Sequence, residues 1–329
     1  MKKQMTKILL IGLLIVSLIF GTASSENETE TARDSTGPGI TKPELQKPPK
    51  TLKVDAKKLL FGKKGDKLKI ITTVTPTNAS MSMIKFRSTN KKIATVNDKG
   101  VVTAKGYGKC KIKVTIKNTT KTIPVQVAKR WVAITWDDGP GYYTSDLLKQ
   151  LKKQNVTCTF FVVGNMISDK GKRKAIKRMV VDGHEVANHS WDHVAAAGVI
   201  QDSVKRTDKR IKELTGKKTS VFRPPGGNIN KKTYKCGKPV ITWSVDPKDW
   251  HVKDANHVYN HIISYTKSGS IVLIHDIHET SVEGGMKAVK YLKKHGYAFV
   301  TVSQMLGNAK AGKLYNKGSS KVRTQKILK

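Results

Sequence analysis

An alternation of short apolar strands with helical segments is the sequence feature that most restricts the fold of this chain. It starts after Lys129 and Arg130, with WVAITW as its first strand and TSDLLKQLKKQ as its first helix. Strand and helix then alternate about seven times before the chain ends. Such repeated units bury their strands beneath helices, so this segment predicts an α/β domain whose sheet closes toward a (β/α) barrel.

The preceding segment has a different pattern. From Leu52 onward, short runs such as KLKIITTVTP, IATVND and KCKIKVTIK alternate polar with apolar residues and are separated by turns. This period of two predicts a small all-β sandwich. A chain of 329 residues has room for both units. We therefore predict a sandwich over residues 51–128 and an α/β domain over residues 129–307.

The first residues indicate export. Lysines precede an apolar run, Ile8 to Phe20, and small residues follow it as far as Ala23. Residues 1–23 therefore read as a secretory signal peptide. An uncleaved membrane anchor is the alternative, because the run approaches the roughly 20 residues that span a bilayer. Either case predicts a secreted or cell-surface protein that contacts a membrane only through this segment. Residues 24–50 are polar and predict a flexible linker.

The chain is strongly basic, and this limits its partners. Lys and Arg number 62 against 24 Asp and Glu, a net charge of +38, so the surface should attract polyanions. Basic runs such as KGKRKAIKR and the tail at 308–329 lack a nucleic-acid module and interleaved aromatic residues. We predict no nucleic-acid partner. The three cysteines are too few for a disulfide framework, and no role is assigned to them.

Polar residues stand where the apolar strands of the α/β segment end. In a (β/α) barrel the carboxyl ends of the strands meet at one mouth, where catalytic groups are found. Five strand ends therefore predict one site. They carry Asp137-Asp138-Gly139-Pro140, His189 with His193, Arg223-Pro224-Pro225, Asp246, and His275-Asp276.

His189 and His193 are four residues apart, close enough to bind one ion from one side of a turn. Two ordinary histidines would be the commoner explanation without a third ligand. An aspartate after the first strand supplies it, which gives a His-His-Asp set with open positions, as in catalytic zinc sites. Two adjacent carboxylates repel, and a cation held by Asp138 but not by Asp137 relieves this. Asp137 is then free to take a proton from water whose pKa the ion lowers. An Asp-Gly-Pro turn with a capping aspartate would explain only one of the two.

The motifs TWDDGP, HSWDH, RPPGG, DPKDW and IVLIH, in this order, resemble those of the NodB-homology polysaccharide deacetylases, carbohydrate esterase family 4. The resemblance spans roughly residues 131–307. It implies a distorted (β/α) barrel and metal-dependent hydrolysis of an N- or O-acetyl group on a sugar polymer. It also implies that Asp137 is the general base, that Asp138, His189 and His193 bind the metal, and that His275 is the general acid. Zinc is the expected ion, and cobalt or nickel would also suit these ligands.

The same resemblance assigns supporting residues. Asp246 is implied as the carboxylate that keeps His275 protonated, and Arg223 as the residue that holds Asp137 in place and ionised.

Trp250 and Leu273 match positions that wall the pocket for the acetyl methyl group, and core packing is the alternative for both. Gly226 stands where many relatives have an aromatic residue. Its backbone N–H could still serve the oxyanion, but the aromatic wall is lost.

Two further resemblances bear on location and substrate. The "ATV…G.VTA…G" pattern in residues 51–128 resembles the bacterial immunoglobulin-like domains of group 2, which implies a spacer or adhesive module. The segment GSIVLIHDIHETSVEGGMKAVKYLKKHGYAFVTVSQML is similar to peptidoglycan N-acetylglucosamine deacetylases. A cell-wall glycan is the expected substrate and anionic wall polymers are expected partners. Chitin oligomers, poly-N-acetylglucosamine and acetylated xylan stay open as substrates. A non-catalytic wall-binding protein is the rival class, and the retention of every acid, base and ligand position argues against it.

Overall fold

The structure is a computed structural model that describes residues 50–56, 58–76, 83–194 and 200–318. The predicted signal peptide, the linker up to residue 49 and the end of the basic tail from residue 319 lie outside the described residues. Among the helices in the described part of the chain, none has the length and apolar character needed to cross a membrane.

The first part of the described chain consists of short strands. They form a four-stranded sheet in the order β2-β9-β8-β5, a three-stranded sheet in the order β3-β7-β6, and a β1-β4 pair. Their bounds are β1 Thr51–Val54, β2 Leu59–Phe61, β3 Lys67–Lys69, β4 Thr72–Thr75, β5 Lys85–Ser88, β6 Ala94–Val96, β7 Val101–Ala104, β8 Gly108–Ile116 and β9 Thr119–Val127.

Strand β8 shows why this region folds as a sandwich. Cys110, Ile112, Val114 and Ile116 are buried, and the lysines between them are exposed. The period of two places one face of the strand in the core and the other in solvent. The buried residues of the three sheets join in one apolar cluster, so this part of the chain has its own core.

The second part of the chain alternates strands with helices. Its strands are β10 Arg130–Asp137, β11 Thr159–Val162, β12 Glu185–Asn188, β13 Val240–Ile241, β14 Ser270–His275, β15 Tyr297–Phe299 and β16 Leu314–Tyr315. Its helices are α1 Thr144–Gln154, α2 Lys170–Val181, α3 Ile200–Thr215, α4 Asp249–Val252, α5 Ala255–Tyr265, α6 Glu279–Lys294 and α7 Val302–Leu306.

The strands of this second part form a distorted (β/α) barrel. A parallel sheet runs β12-β11-β10-β14, and β15 pairs with the start of β10. Single parallel bridges continue the sheet past β12 and return it to β14; they are Asn188↔Phe222, Phe222↔Val240 and Val245↔Val272. The barrel is distorted because these last segments pair through isolated bridges instead of full strands.

The two faces of β10 have separate roles. Val132, Ile134 and Trp136 belong to the core between the barrel and its helices. Trp131 and Ala133 belong to the core inside the barrel. Since side chains alternate along a strand, Thr135 and Asp137 share the inward face. A carboxylate is thereby brought to the inner rim where the strand ends.

The sandwich and the barrel share an apolar contact at the end of the barrel where β10 begins. Leu60 of β2 and Ala128, just after β9, belong to the same apolar cluster as Trp131, Ala298 and Val300. This contact lies at the amino ends of β10 and β15, the end of the barrel away from Asp137.

Candidate active site

Asp137 forms a fully buried ion pair with Arg223. Nη1 of Arg223 donates to Asp137 Oδ1 at 2.7 Å and to Thr135 Oγ1 at 2.7 Å, and Nη2 donates to the carbonyl of Thr242 at 3.0 Å. The guanidinium lies over the ring of Phe161, 4.1 Å from its centroid. A buried carboxylate needs such a partner to remain charged. The contact therefore fits the predicted role of Arg223.

Asp138, His189 and His193 offer three ligand atoms within 4.8 Å of one another. Asp138 Oδ1 is 3.3 Å from Nε2 of His189 and 3.1 Å from Nε2 of His193. This oxygen is buried and has no hydrogen-bond donor within the described residues. A buried acceptor facing two imidazole nitrogens is the arrangement that a cation satisfies. These three residues therefore fit a divalent metal ion.

The tautomer of His189 agrees with this fit. Its Nδ1 lies 2.7 Å from the backbone carbonyl of Arg223, which can only accept a hydrogen bond. We therefore place the proton on Nδ1, and Nε2 keeps a lone pair for a metal. Burial by itself would raise the pKa of Asp138, but when the two imidazoles are protonated, hydrogen bonds from His189 and His193 hold that pKa well below its usual range. Asp138 is thus an anionic ligand.

The backbone at the site is unusual at three residues. Asp138, Ser190 and His193 have φ values of 72°, 71° and 61°, in the left-handed region that side chains other than glycine seldom adopt. Asp137 is the last residue of β10, and the left-handed turn begins at Asp138. Both carboxylates lie near Nε2 of His189, which is 3.6 Å from Asp137 Oδ2 and 3.3 Å from Asp138 Oδ1.

A hydrogen-bond network holds the turn that carries the two histidines. Asn188 Oδ1 accepts the backbone N–H of Ser190 at 2.9 Å, and Asn188 Nδ2 donates to Asp208 Oδ1 at 2.7 Å. Asp208 also accepts from Thr219 and pairs with Lys238 Nζ at 2.7 Å. Side chains of this kind that orient metal ligands contribute to metal affinity. Sequence reasoning missed this network because Asn188 and Asp208 carry no motif that links them.

His275 is bound by Asp249 and not by Asp246. Asp249 Oδ1 is 2.9 Å from Nδ1 of His275, and Oδ2 accepts its backbone N–H at 2.8 Å. Burial alone would lower the pKa of His275, but the carboxylate of Asp249 raises it to about 9. Nε2 of His275 faces the metal-ligand group, 4.0 Å from Asp138 Oδ2.

The sequence prediction for Asp246 is corrected by this contact. Asp246 Oδ1 accepts the backbone N–H of Lys248 at 2.8 Å and so caps the turn before α4. Asp249 is the first residue of α4 and is completely buried beside the end of β14. The signal that could have identified it is the second aspartate of DPKDW, which directly precedes Trp250.

The predicted pocket residues have contrasting positions. Leu273 is 3% exposed and stands two residues before His275, on the same face of β14. Trp250 is 53% exposed and follows Asp249 on α4. Leu273 belongs to none of the apolar core clusters described above, so its pocket role stays a prediction. The exposed indole of Trp250, next to the site, is available to a ligand.

Gly226 lies in a tight turn with φ 59° and ψ 11°. The N–H groups of Gly227 and Asn228 bond to the carbonyls of Pro224 and Pro225. The N–H of Gly226 has no acceptor in the described part of the chain. It is therefore a free donor, as its predicted oxyanion role requires.

Asp276 packs against Gly139, in the turn that follows Asp137 and Asp138. It is completely buried, and burial raises its pKa to about 7. Thr144 donates to it, and the backbone N–H of Gly141 donates to Thr144 Oγ1 at 2.8 Å. A Cβ on Gly139 would lie 2.4 Å from both carboxyl oxygens of Asp276. This approach explains the glycine after the two aspartates, a contact that the sequence did not predict.

Comparisons with known proteins identify the family of this chain. The polysaccharide deacetylase family model matches residues 125–239, and the group 2 bacterial Ig-like domain model matches residues 52–127. A peptidoglycan-N-acetylglucosamine deacetylase of Bacillus cereus is 34% identical over 188 residues, which cover 53% of this chain and 87% of the relative. The chain belongs to the polysaccharide deacetylase family.

A longer relative is the peptidoglycan-N-acetylglucosamine deacetylase PgdA of Listeria monocytogenes. It is 35% identical over 201 residues, or 59% of this chain. These residues span 42% of the length of the Listeria protein. The likeness therefore extends over less than half of that relative.

Solved structures of similar fold include two of note. A structure described as T48 deacetylase with substrate has a TM-score of 0.54 and 37% identity, covering 57% of this chain and 96% of that chain. A family 4 acetyl xylan esterase from Clostridium thermocellum, in complex with a cobalt ion, has a TM-score of 0.54 and 28% identity, covering 57% and 98%. Both likenesses agree with the distorted barrel described above.

Proposed function

We propose that this protein is a divalent-metal-dependent hydrolase that removes N-acetyl groups from the N-acetylglucosamine of peptidoglycan. One observation carries the proposal: the metal-ligand group Asp138, His189 and His193 lies close to a paired carboxylate, Asp137, and to a histidine, His275, whose pKa is raised to about 9. A base and an acid beside a cation site are the components that amide hydrolysis requires.

The roles of the side chains follow from their contacts. A divalent ion held by Asp138, His189 and His193 would supply Lewis acidity at the acetyl carbonyl and lower the pKa of water there. Asp137, held by Arg223, takes the proton of the attacking water. The N–H of Gly226 donates to the oxyanion that develops as the C–O bond forms.

His275 acts as the general acid in the second half of the reaction. Its Nε2–H gives a proton to the sugar nitrogen as the amide C–N bond breaks, which releases acetate and leaves a free amine. Asp249 keeps the imidazole protonated and fixes its orientation. Trp250, exposed beside this group, is the side chain we assign to contact with the sugar or its acetyl methyl.

The choice of metal, substrate and location is part of the same proposal. Zinc is proposed because two imidazoles and one carboxylate suit it, and cobalt and nickel share this ligand preference. The named peptidoglycan deacetylases among the relatives support peptidoglycan as the substrate. The apolar run near the amino terminus supports export to the cell surface, and the net charge of +38 supports contact with anionic wall polymers.

Acetate release tests the proposal. The full-length protein would be assayed on purified peptidoglycan, chitin oligomers and acetylated xylan, with chelator and after addition of Zn²⁺, Co²⁺ or Ni²⁺. We expect release from peptidoglycan that chelator stops and metal restores. Faster release from xylan would make the protein an esterase. No release with any metal would favour the non-catalytic wall-binding class.

A further inference from the structure

A large cleft lies where the sandwich meets the barrel, away from the active site. Its volume is about 920 Å³, within the range of small-molecule binding sites. It is lined by parts of β8 and β9, by the connection into β10, by residues 155–157 after α1, and by the segment from the end of α6 into β15.

The charged residues of this cleft all have one sign. No aspartate or glutamate among the described residues lines it. None of its basic side chains is in an ion pair with a carboxylate in the part of the chain that the structure describes. The basic lining residues are Lys58, Lys109, Lys111, Lys129, Arg130 and Lys293.

Lys58 shows that this positive charge is concentrated. Its side chain is half-buried, and burial together with the nearby charge of Lys109 lowers its pKa. Ammonium groups brought together without a counter-charge repel one another. An anion in the cleft would relieve this repulsion, so the site is better suited to a negative ligand than to a neutral one.

Carbon-rich surface lies between these cations. Val125, Ala128 and Phe299 contribute apolar atoms, and Tyr107 and Tyr297 contribute aromatic rings. Lysines beside apolar and aromatic surface are complementary to a polymeric ligand in which anionic groups alternate with carbon-rich units. Repeating phosphodiesters joined by sugar or polyol units have this character.

We propose that this cleft binds a phosphodiester polymer whose phosphates join sugar or polyol units that carry no nucleobases. The lysines pair with the phosphates, and the tyrosines and apolar residues contact the intervening units. The proposal depends on the wall location proposed above and names the place at which an anionic wall polymer is held. It does not depend on the hydrolysis.

The cleft and the active site lie at opposite ends of one strand. Strand β10 begins with Arg130 in the cleft and ends with Asp137 at the mouth. Its eight residues, at about 3.3 Å each, separate the two sites by roughly 23 Å. A polymer in the cleft therefore leaves the mouth free. It would tether the protein and raise the local concentration of the glycan that the mouth acts on.

The test compares two triple variants of the full-length protein that lose the same charge. Lys58→Gln/Lys109→Gln/Lys111→Gln removes three of the six cations named for the cleft. Lys209→Gln/Lys217→Gln/Lys218→Gln removes exposed lysines that do not line it. Affinity for soluble poly(glycerol phosphate) would be measured by calorimetry at fixed salt. We expect the cleft variant to bind about tenfold more weakly than wild type and the control variant to bind almost normally.

Three outcomes would overturn the proposal. Equal loss in both variants would show attraction by net charge alone. Tighter binding of polyglutamate than of poly(glycerol phosphate) would show that carboxylates are the preferred ligand. Unchanged affinity in the cleft variant would show that the polymer binds elsewhere. Should the triple variant unfold, Lys109→Gln/Lys111→Gln changes only exposed positions on β8 and carries the same expectation.

Hydrolysis of soluble acetylated oligomers by the same variants separates this proposal from the proposed function. We expect wild-type kcat/KM in the cleft variant, which supports a separate site. A loss of hydrolysis in proportion to the loss of polymer binding would contradict a separate site. If wild type itself hydrolyses nothing, the proposed function fails while the polymer affinities still decide the role of the cleft.

Discussion

The sandwich and the barrel bury polar groups very differently. Among the described residues of the sandwich, Ser88 is the only buried polar side chain. In the barrel, by contrast, Asp137, Arg223, Asp249 and His275 are all buried, and each lies near the carboxyl end of a strand or in the loop beyond it. Burying a charge is costly unless a partner offsets the loss of water. The barrel mouth therefore holds charged groups of the kind that catalysis uses, whereas the sandwich buries almost only apolar side chains.

The largest expected effect comes from removing a metal ligand at the mouth. His189→Ala deletes one of the ligand atoms that lie within 4.8 Å of one another, so we expect loss of bound metal and of acetate release together. Metal content by mass spectrometry and acetate assay measure both. His295→Ala, a change at an exposed histidine, is the control and should retain both. Full activity in metal-free His189→Ala would contradict the assignment.

Asp137→Asn should separate catalysis from metal binding. Asn keeps an acceptor for Arg223 but cannot take a proton, so kcat should fall by about 10² to 10⁴ while metal content is unchanged. Steady-state kinetics and metal analysis on the same sample check this. Loss of the ion together with activity would instead make Asp137 a ligand.

Asp208→Ala should weaken metal binding without touching a ligand. Asp208 anchors Asn188, which holds the Ser190 N–H in the turn between the histidines. We expect metal affinity to fall by about 10- to 100-fold, measured by competition with a chelator. Asp202→Ala changes an exposed residue of the same helix and serves as the control. Equal metal affinity in both variants would show that the hydrogen bonds of Asn188 and Asp208 do not contribute to metal binding.

Asp249→Asn should move the alkaline limb of the pH–kcat profile to lower pH. The histidine it contacts, His275, has its pKa raised to about 9, so the acid form is present below this value and is lost as pH rises through it. Removing the carboxylate removes the main raising cause. The folding stability from this pair follows the same sign: it is present below the unfolded pKa near 6.5 and is lost as pH rises through about 9.

Asp246→Asn is the matched control for this pH prediction. Its carboxylate contacts the backbone of Lys248 and not His275, so the limb should stay in place. If the alkaline limb of the pH–kcat profile moves in Asp246→Asn and not in Asp249→Asn, Asp246 is the carboxylate that keeps His275 protonated, as first predicted from the sequence.

The smallest effect is expected from the sandwich. Deleting residues 50–127 removes none of the residues assigned to the site, so kcat/KM on soluble oligomers should be unchanged. The melting temperature should fall, because Leu60 packs with Ala128 and Trp131 beneath the barrel. Calorimetry and oligomer assays measure the two effects. If the truncated protein is folded but inactive, the sandwich is needed for hydrolysis and the two regions do not have separate roles.

Much of the barrel mouth could be predicted because strand ends carry a local signal. Apolar runs that end in Asp137-Asp138, His189 and His275 follow from sequence patterns, and parallel pairing places Asp137 beside His275. Asp249 could not be distinguished from Asp246 in this way. The choice depends on where α4 begins against β14, which is set by tertiary packing.

Barrel closure was also beyond the sequence pattern. The strand ends predicted at Arg223 and Asp246 follow only the two-residue β13 and isolated bridges at Phe222 and Val245. Pairing over so few residues depends on the curvature of the whole sheet. The contact of Asn188 with Asp208 likewise needs the packing of α3 on β12 and has no signal in either segment alone.

Arg223 serves the site through two chemically independent parts. Its guanidinium neutralises one acid, while its main-chain oxygen orients the imidazole of His189. Mutation can erase the first contribution but every amino acid retains the second. Natural variants with another residue at position 223 should therefore be poor catalysts that still bind the metal ion. Measuring metal content alone would not identify them as inactive.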